Sequence, residues 1–175
     1  MLETRDLILD KAKPDDWRAM YRNVWSHPES ARYMMWSVTE REEDAPDRMR
    51  RTIEFQKTHD TYLVYSKATG EAIGFAGVEQ LSPTVWEEAG VCLGPGFVGK
   101  GYGTQILRRL IRYAKELGAR EFIASAWEEN QASRALIVSL GFTQFDAEER
   151  IDERNGSSYT YLRYKLDLSS CNSLP

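Results

Sequence analysis

Histidine and cysteine are scarce in this 175-residue chain, with two of each. His27 and His59 have no cysteine near them, so no structural zinc site is expected and no metal is assigned to the chemistry. Cys92 sits in an apolar run and Cys171 in a polar tail, which is not a disulfide framework. No apolar run approaches the roughly 18 residues of a membrane span. The acidic opening Met1-Leu2-Glu3 does not read as a signal peptide. Basic excess is also missing: 23 Lys and Arg against 27 Asp and Glu give a net charge of −4, which points to no nucleic-acid or membrane partner. These absences lead to an expectation of a cytoplasmic protein. Hydrophobic content of 42% and charge of 29% are ordinary for a globular chain long enough to bury a core. With no repeats and no linker, one domain is expected over residues 1–168, followed by a flexible tail at 169–175.

Glycine is concentrated instead. Gly94, Gly96, Gly99, Gly101 and Gly103 crowd the stretch Gly94 to Thr104, and an amphipathic helical pattern begins at once after it. Glycines let consecutive N–H groups turn toward one point, and a helix start adds unpaired N–H groups and the positive end of the macrodipole. The combination suits a phosphate or pyrophosphate, and Lys100 supplies a mobile cation. Three motifs fit. Gly94, Gly96 and Gly99 match the dinucleotide fingerprint G-x-G-x-x-G. Gly94, Gly99 and Lys100 match a P-loop until Gly101, which stands where a magnesium-binding hydroxyl is needed. The third is a loop centred on Gly99 to Thr104 that enters a helix near Tyr102.

The surrounding pattern bears on the choice. Arg5 to Ala12 alternates as a first strand. Pro14-Asp15-Asp16 opens a helix with Trp17, Met20, Tyr21 and Val24 as its buried stripe. Residues 26–44 are irregular around an apolar knot, Tyr33-Met34-Met35-Trp36, which reads either as core or as the wall of a substrate pocket. A charged helix over 45–58 presents Met49, Ile53 and Phe55. Runs beginning at Thr61, Ala72 and Thr84 are joined by short polar turns as an antiparallel meander, which weighs against both nucleotide folds. After the loop, Ile106, Leu107, Leu110, Ile111, Ala114 and Leu117 mark a helix ended by Gly118. Glu121 to Ala126 is a strand, and Asn130 caps a helix through Leu140. Phe142 to Ile151 and Ser158 to Leu168 form a hairpin around Asn155-Gly156. The expected fold is mixed α+β: a mostly antiparallel sheet of about seven strands with one strand–helix–strand–helix crossover in its middle.

This order resembles the GNAT N-acetyltransferase superfamily over nearly the whole chain. The family signature Q/R-x-x-G-x-G/A finds its second half in Gly101-Tyr102-Gly103, with Val98 departing from the usual Gln or Arg. The block Asn-x-x-Ser through Leu-Gly-Phe is matched by Asn130, Ser133 and Leu140-Gly141-Phe142. The acidic residue opening the strand before the loop is matched by Glu88. Thr4 to Leu9 resembles the start of the branch containing the Rim-type ribosomal-protein N-terminal acetyltransferases.

The resemblance implies acetyl-coenzyme A as donor and an amine as acceptor, either a protein N-terminus or a small molecule. It implies that Val98, Gly99, Lys100, Gly101, Tyr102, Gly103 and Thr104 meet the pyrophosphate. Val91, Cys92 and Leu93 would then pair with the pantetheine amides if the sheet opens there. A backbone N–H near Cys92 or Leu93 would face the thioester oxygen. Asn130 and Ser133 are the further coenzyme residues, with Arg134 as a possible phosphate contact, and Asn130 is equally a helix cap. Glu88 is the first candidate for general base, with Glu87 and Glu79 as competitors. Many relatives carry a tyrosine as general acid where this chain has Ile137, which leaves water, Ser133, Tyr159 or Tyr161. Glu40, Glu42, Glu43 and Asp44 read either as a solvated loop or as an attraction for a cationic acceptor. The edge strands of the last hairpin are compatible with a homodimer.

Overall fold

The computed structural model describes residues 1–169, so Cys171 and all but the first residue of the expected tail lie outside the described residues. The strands are β1 (Leu2–Glu3), β2 (Leu7–Asp10), β3 (Asp60–Ser66), β4 (Ala72–Ser82), β5 (Val85–Leu93), β6 (Glu121–Trp127), β7 (Thr143–Ile151) and β8 (Ser158–Asp167). They form one sheet in the order β1-β2-β3-β4-β5-β6-β8-β7. The eighth strand beyond the expected seven is β1, two residues pairing Leu2 with Leu9 and Glu3 with Ile8. Every neighbouring pair is antiparallel except β5 with β6. The loop therefore follows an antiparallel meander and opens the sheet's parallel crossover, which runs from β5 through the helix at Tyr102–Glu116 to β6, rather than belonging to an all-parallel array.

Among the described residues, five α-helices cover the two faces: α1 (Trp17–Met20), α2 (Pro28–Ala31), α3 (Ala45–Gln56), α4 (Tyr102–Glu116) and α5 (Gln131–Ser139). The long first helix expected from Pro14 is broken into a 3-10 turn at Pro14–Asp16, α1, and a π-helical stretch at Tyr21–Trp25. Its stripe holds, since Met20 and Val24 are fully buried. On α3, Met49 is buried, but Phe55 is exposed and stacks on His59 with ring centroids 3.7 Å apart.

The helix spacing explains the packing. Ile106, Leu107, Leu110, Ile111 and Ala114 recur at three and four residues, so α4 buries one continuous stripe. That stripe meets Leu7, Leu9, Val64, Ile73, Phe122 and Leu162 of the sheet in one core. Truncating a residue such as Leu110 to Ala costs about 2–5 kcal/mol in a packed core. Leu117 departs from the expected stripe: it is the C-cap residue and is exposed, because the chain turns away at Gly118, whose φ is +99°. A second core on the opposite face joins Met20, Val24, Trp25, Met49, Leu63, Ala72 and Cys92, with Met34, Trp36 and Phe75 packed against it.

The register places the functional region. β5 and β6 pair only through Val85–Glu121, Trp86–Phe122 and Glu87–Ile123, then part. From Glu88 onward the β6-facing edge of β5 has no strand partner among the described residues. The same strand is bulged: Glu88 faces Val78 and Val91 faces Ala76, so Ala89 and Gly90 oppose the single residue Gly77. Gly90 takes a φ of +95°, which an L side chain resists.

Candidate functional site: the cleft between β5 and β6

The glycine loop closes one end of the opening. Gly94 donates its N–H to Ile73 O, and a Cβ there would lie 1.9 Å from Asn23 O, so only glycine fits. After a 3-10 turn at Pro95–Phe97, Gly99 and Gly101 adopt φ of +73° and +75°, and Gly101 caps α4 in a left-handed conformation. None of the backbone N–H groups from Gly99 to Thr104 has a protein partner among the described residues. The arrangement fits an anionic diphosphate. Val98 is exposed, and Lys100 Nζ lies 5.3 Å from the Phe97 ring centre. A Cβ on Gly103 would meet Leu136 at 3.1 Å, so this glycine lets α4 and α5 lie close.

On α5, Asn130 Oδ1 accepts from the Ser133 N–H at 3.1 Å, so Asn130 is the helix cap. Arg134 folds back, donating to Glu128 O at 2.8 Å and reaching Tyr164 Oη at 3.4 Å. Ile137 is buried in the core, so no proton donor stands on that turn.

Among the carboxylates, register separates the three candidates. Glu79 is exposed. Glu87 accepts from Ser125 Oγ at 3.3 Å and lies 3.8 Å from Arg163 Nη2. Glu88 is the first β5 residue past the last pair with β6. It keeps some solvent exposure, yet its carboxyl sits deep among protein atoms. Burial, reinforced by the charge of Glu87, pushes it up to about 8, while the Gly90 N–H bonds the carboxylate and opposes the rise. The Tyr161 phenol is raised by its own burial, partly offset by Ser125, and feels the charges of Glu88 and Glu87. Tyr159 is remote in role: it stacks on Trp127 at 3.6 Å and reaches Met35 Sδ at 3.6 Å.

Val91, Cys92 and Leu93 follow the bulge along the unpaired edge. The Cys92 thiol points into the second core and donates to Ser30 O at 3.5 Å, and burial pushes it up to about 12. It is a packing group with no thiolate character. Two cavities share Phe55, Gln56, Thr61 and Ala89 in their walls, Ala89 being the chain neighbour of Glu88. The larger, of about 1150 Å³, lies on the α3 side and is lined by Trp25, Trp36, Arg48 and Phe75. The smaller, of about 610 Å³, is lined by Lys11, His59, Glu79 and Trp86.

Of the apolar knot, Met34 and Trp36 pack against the second core, Trp36 also lines the larger cavity, and Met35 is exposed. The acidic run is not free to attract a cation as a whole, since Glu43 and Asp44 pair with Arg41 at 2.8 and 3.0 Å. Sequence reasoning missed Arg48 and Trp25. Arg48, Arg50 and Arg51 all line the cavity, and only the fold shows which one packs on two indoles. No group of histidine, cysteine or acidic residues able to hold a metal occurs among the described residues. No helix there is long and apolar enough to cross a membrane.

Comparisons with known proteins agree with this arrangement. N-alpha-acetyltransferase RimI of Mycobacterium tuberculosis is 28% identical over 120 residues, covering 66% of this chain and 73% of that protein. L-amino acid N-acyltransferase MnaT of Escherichia coli is 33% identical over 82 residues, covering 46% of this chain and only 48% of that enzyme. The structure of yncA from Salmonella typhimurium with its cofactor acetyl-CoA superposes with a TM-score of 0.68 at 22% identity, over 96% of this chain and 97% of that one. The family model described as the acetyltransferase (GNAT) domain matches residues 6–143, and the chain belongs to that family.

Proposed function

We propose that this protein is an N-acetyltransferase that moves the acetyl group of acetyl-coenzyme A onto a primary amine within a ternary complex. The observation that carries the reading is Glu88, a carboxylate raised to about 8 at the first position where β5 leaves β6. An alkyl ammonium, with a pKa near 10, is no nucleophile until it loses a proton. A base whose pKa lies close to the working pH is matched to that transfer. The unpartnered amides of Gly99 to Thr104 favour a pyrophosphate at one end of the cleft, and the free edge at Val91, Cys92 and Leu93 favours an extended diamide along it. The relative RimI and the acetyl-CoA-bound neighbour yncA support the same donor and acceptor chemistry.

Acetyl-coenzyme A supplies an activated acyl thioester. The amine nitrogen bonds to the acetyl carbon, the C–S bond breaks, and the proton lost by the amine passes to Glu88 directly or through water. The leaving thiolate takes a proton from solvent or from Tyr161. A thiol pKa near 8.5 makes a dedicated acid dispensable, which accords with Ile137 at the usual acid position. Backbone N–H groups beyond the bulge stabilise the oxyanion. The acceptor is a protein N-terminus or a small amine.

Calorimetric titration with acetyl-coenzyme A, beside NAD and ATP, tests the donor. Micromolar binding of acetyl-coenzyme A alone, followed by thiol release with amines, is the expected result. Binding of a nucleotide instead, or coenzyme binding with no turnover of any amine, would sink the reading.

A further inference from the structure

The larger cavity holds a cation without a counter-ion. The Arg48 guanidinium lies between two indoles, 4.7 Å from the Trp25 ring centre and 4.5 Å from that of Trp36. Its Nη1 donates to Ser37 O at 3.1 Å and to Thr39 Oγ1 at 2.8 Å. Nη2 and Nε have no protein partner among the described residues, and no carboxylate lies within ion-pair distance of the side chain. Arg51, which also lines the cavity, is likewise without an ion pair among the described residues but is exposed. Arg41 pairs with Glu43 and Asp44, and Arg50 pairs with Asp47. Burial and the charge of Arg51 lower Arg48 to about 10, so it remains a cation at neutral pH. A half-buried guanidinium without an anion is held at a partial desolvation cost that an incoming anion offsets. The site is built for that geometry: stacking on indoles fixes the plane of the fork and leaves its other donors open.

We infer that Arg48 receives a carboxylate of the acceptor, so that the substrate is a small amino acid-like molecule carrying both a primary amine and a carboxylate. The cavity that contains Arg48 extends to Ala89, the chain neighbour of Glu88, and in this arrangement the acceptor's amine must reach the carboxylate past that residue. Its body lies against Trp36 and Phe75, whose rings meet edge to face at 6.3 Å. A protein N-terminus presents an amide where this acceptor presents its carboxylate. The inference rests on the acetyltransferase reading of the cleft and narrows its acceptor.

The test compares free amino acids with their carboxamides and with the matching decarboxylated amines, using thiol release from acetyl-coenzyme A at pH 8. Charge-assisted hydrogen bonds of this kind discriminate by about ten- to a hundredfold, so kcat/KM should favour at least one free acid over both analogues by that factor. A carboxamide has the less basic amine, which biases that arm against the inference, whereas the decarboxylated amine is more basic and is compared at equal concentration of free base. Arg48→Gln should abolish the preference while leaving the coenzyme dissociation constant unchanged, with Arg48→Lys restoring part of it. Carboxamides, amines or peptides turned over as well as free acids would overturn the inference. Should no amine be acetylated, the parent reading fails separately. Quenching of tryptophan fluorescence by N-acetyl amino acids and by their amides then reads the Arg48 site alone, and equal responses would overturn the inference.

Discussion

Replacing Glu88 by glutamine removes the carboxylate while keeping its shape, and the consequences can be worked in two independent assays. With a pKa of about 8, Glu88 is about one-tenth ionised at pH 7 and about one-hundredth at pH 6. In the wild type, log kcat/KM should rise by about one per pH unit up to pH 8 and then level off. An acceptor whose amine is already neutral at pH 6 isolates this inflection from the substrate's own titration. Glu88→Gln should lower the plateau by about 10²–10⁴-fold and flatten the profile. The second assay is stability. The folded protein holds the carboxyl proton up to about pH 8, whereas the unfolded chain releases it near its ordinary value of 4.5. Between those values the native state binds more protons, so stability falls as pH rises through that window. The shift sets a ceiling of about 5 kcal/mol. Solvent still reaches part of the residue, so about 2–3 kcal/mol is the working expectation. Relative to wild type, the Gln variant should gain about 5–10 °C in Tm between pH 5 and pH 9 for a chain of this size. A wild-type profile without an inflection near 8, or equal Tm differences at both pH values, would refute the reasoning.

Gly94→Ala should destabilise by about 1–3 kcal/mol or more, because the new Cβ would lie 1.9 Å from Asn23 O, whereas Gly96→Ala, with open space around it, should leave Tm nearly unchanged. Gly101→Ala strains a φ of +75° and should weaken acetyl-coenzyme A binding by about tenfold, read by calorimetry, with the acceptor KM unaffected. Cys92→Ala should retain turnover, and the native thiol should resist alkylation at pH 8, since burial holds it up near 12; rapid modification would contradict this. Arg154→Ala removes the partner 2.7 Å from the Asp152 carboxylate together with the bonds to Ala31 O and Trp36 O, and should lower the denaturant midpoint of unfolding.

The legible parts of the fold were those set by local chemistry. The stripe of α4, the Asn130 cap and the turn at Gly156, whose φ is +76°, each follow from residues within a few positions of one another. The loop could be located because glycine density and a helix start are both sequence-local. The break in the first helix could not, since Tyr21–Trp25 packs under the constraint of a sheet contributed by later residues. Nor could the choice among Glu79, Glu87 and Glu88, which depends on where β5 parts from β6 and on a bulge opposite Gly77. Arg48 was invisible for the same reason: its significance lies in Trp25 and Trp36, which are 23 and 12 positions away.

Arg154 in the β7–β8 turn donates to Ala31 O at 2.7 Å and to Trp36 O at 3.1 Å, joining groups 123 and 118 residues apart. The wall of the larger cavity is thus pinned by a residue made more than a hundred positions later. At about 5–20 residues per second, Trp36 waits roughly 6–24 s on the ribosome before its anchor is synthesised. The glycine loop and α4 precede that anchor by some 50 residues or about 3–10 s of synthesis. A nascent chain therefore completes the segments proposed for the coenzyme before it can shape the acceptor side, and the order of translation separates the maturation of the two halves of one cleft.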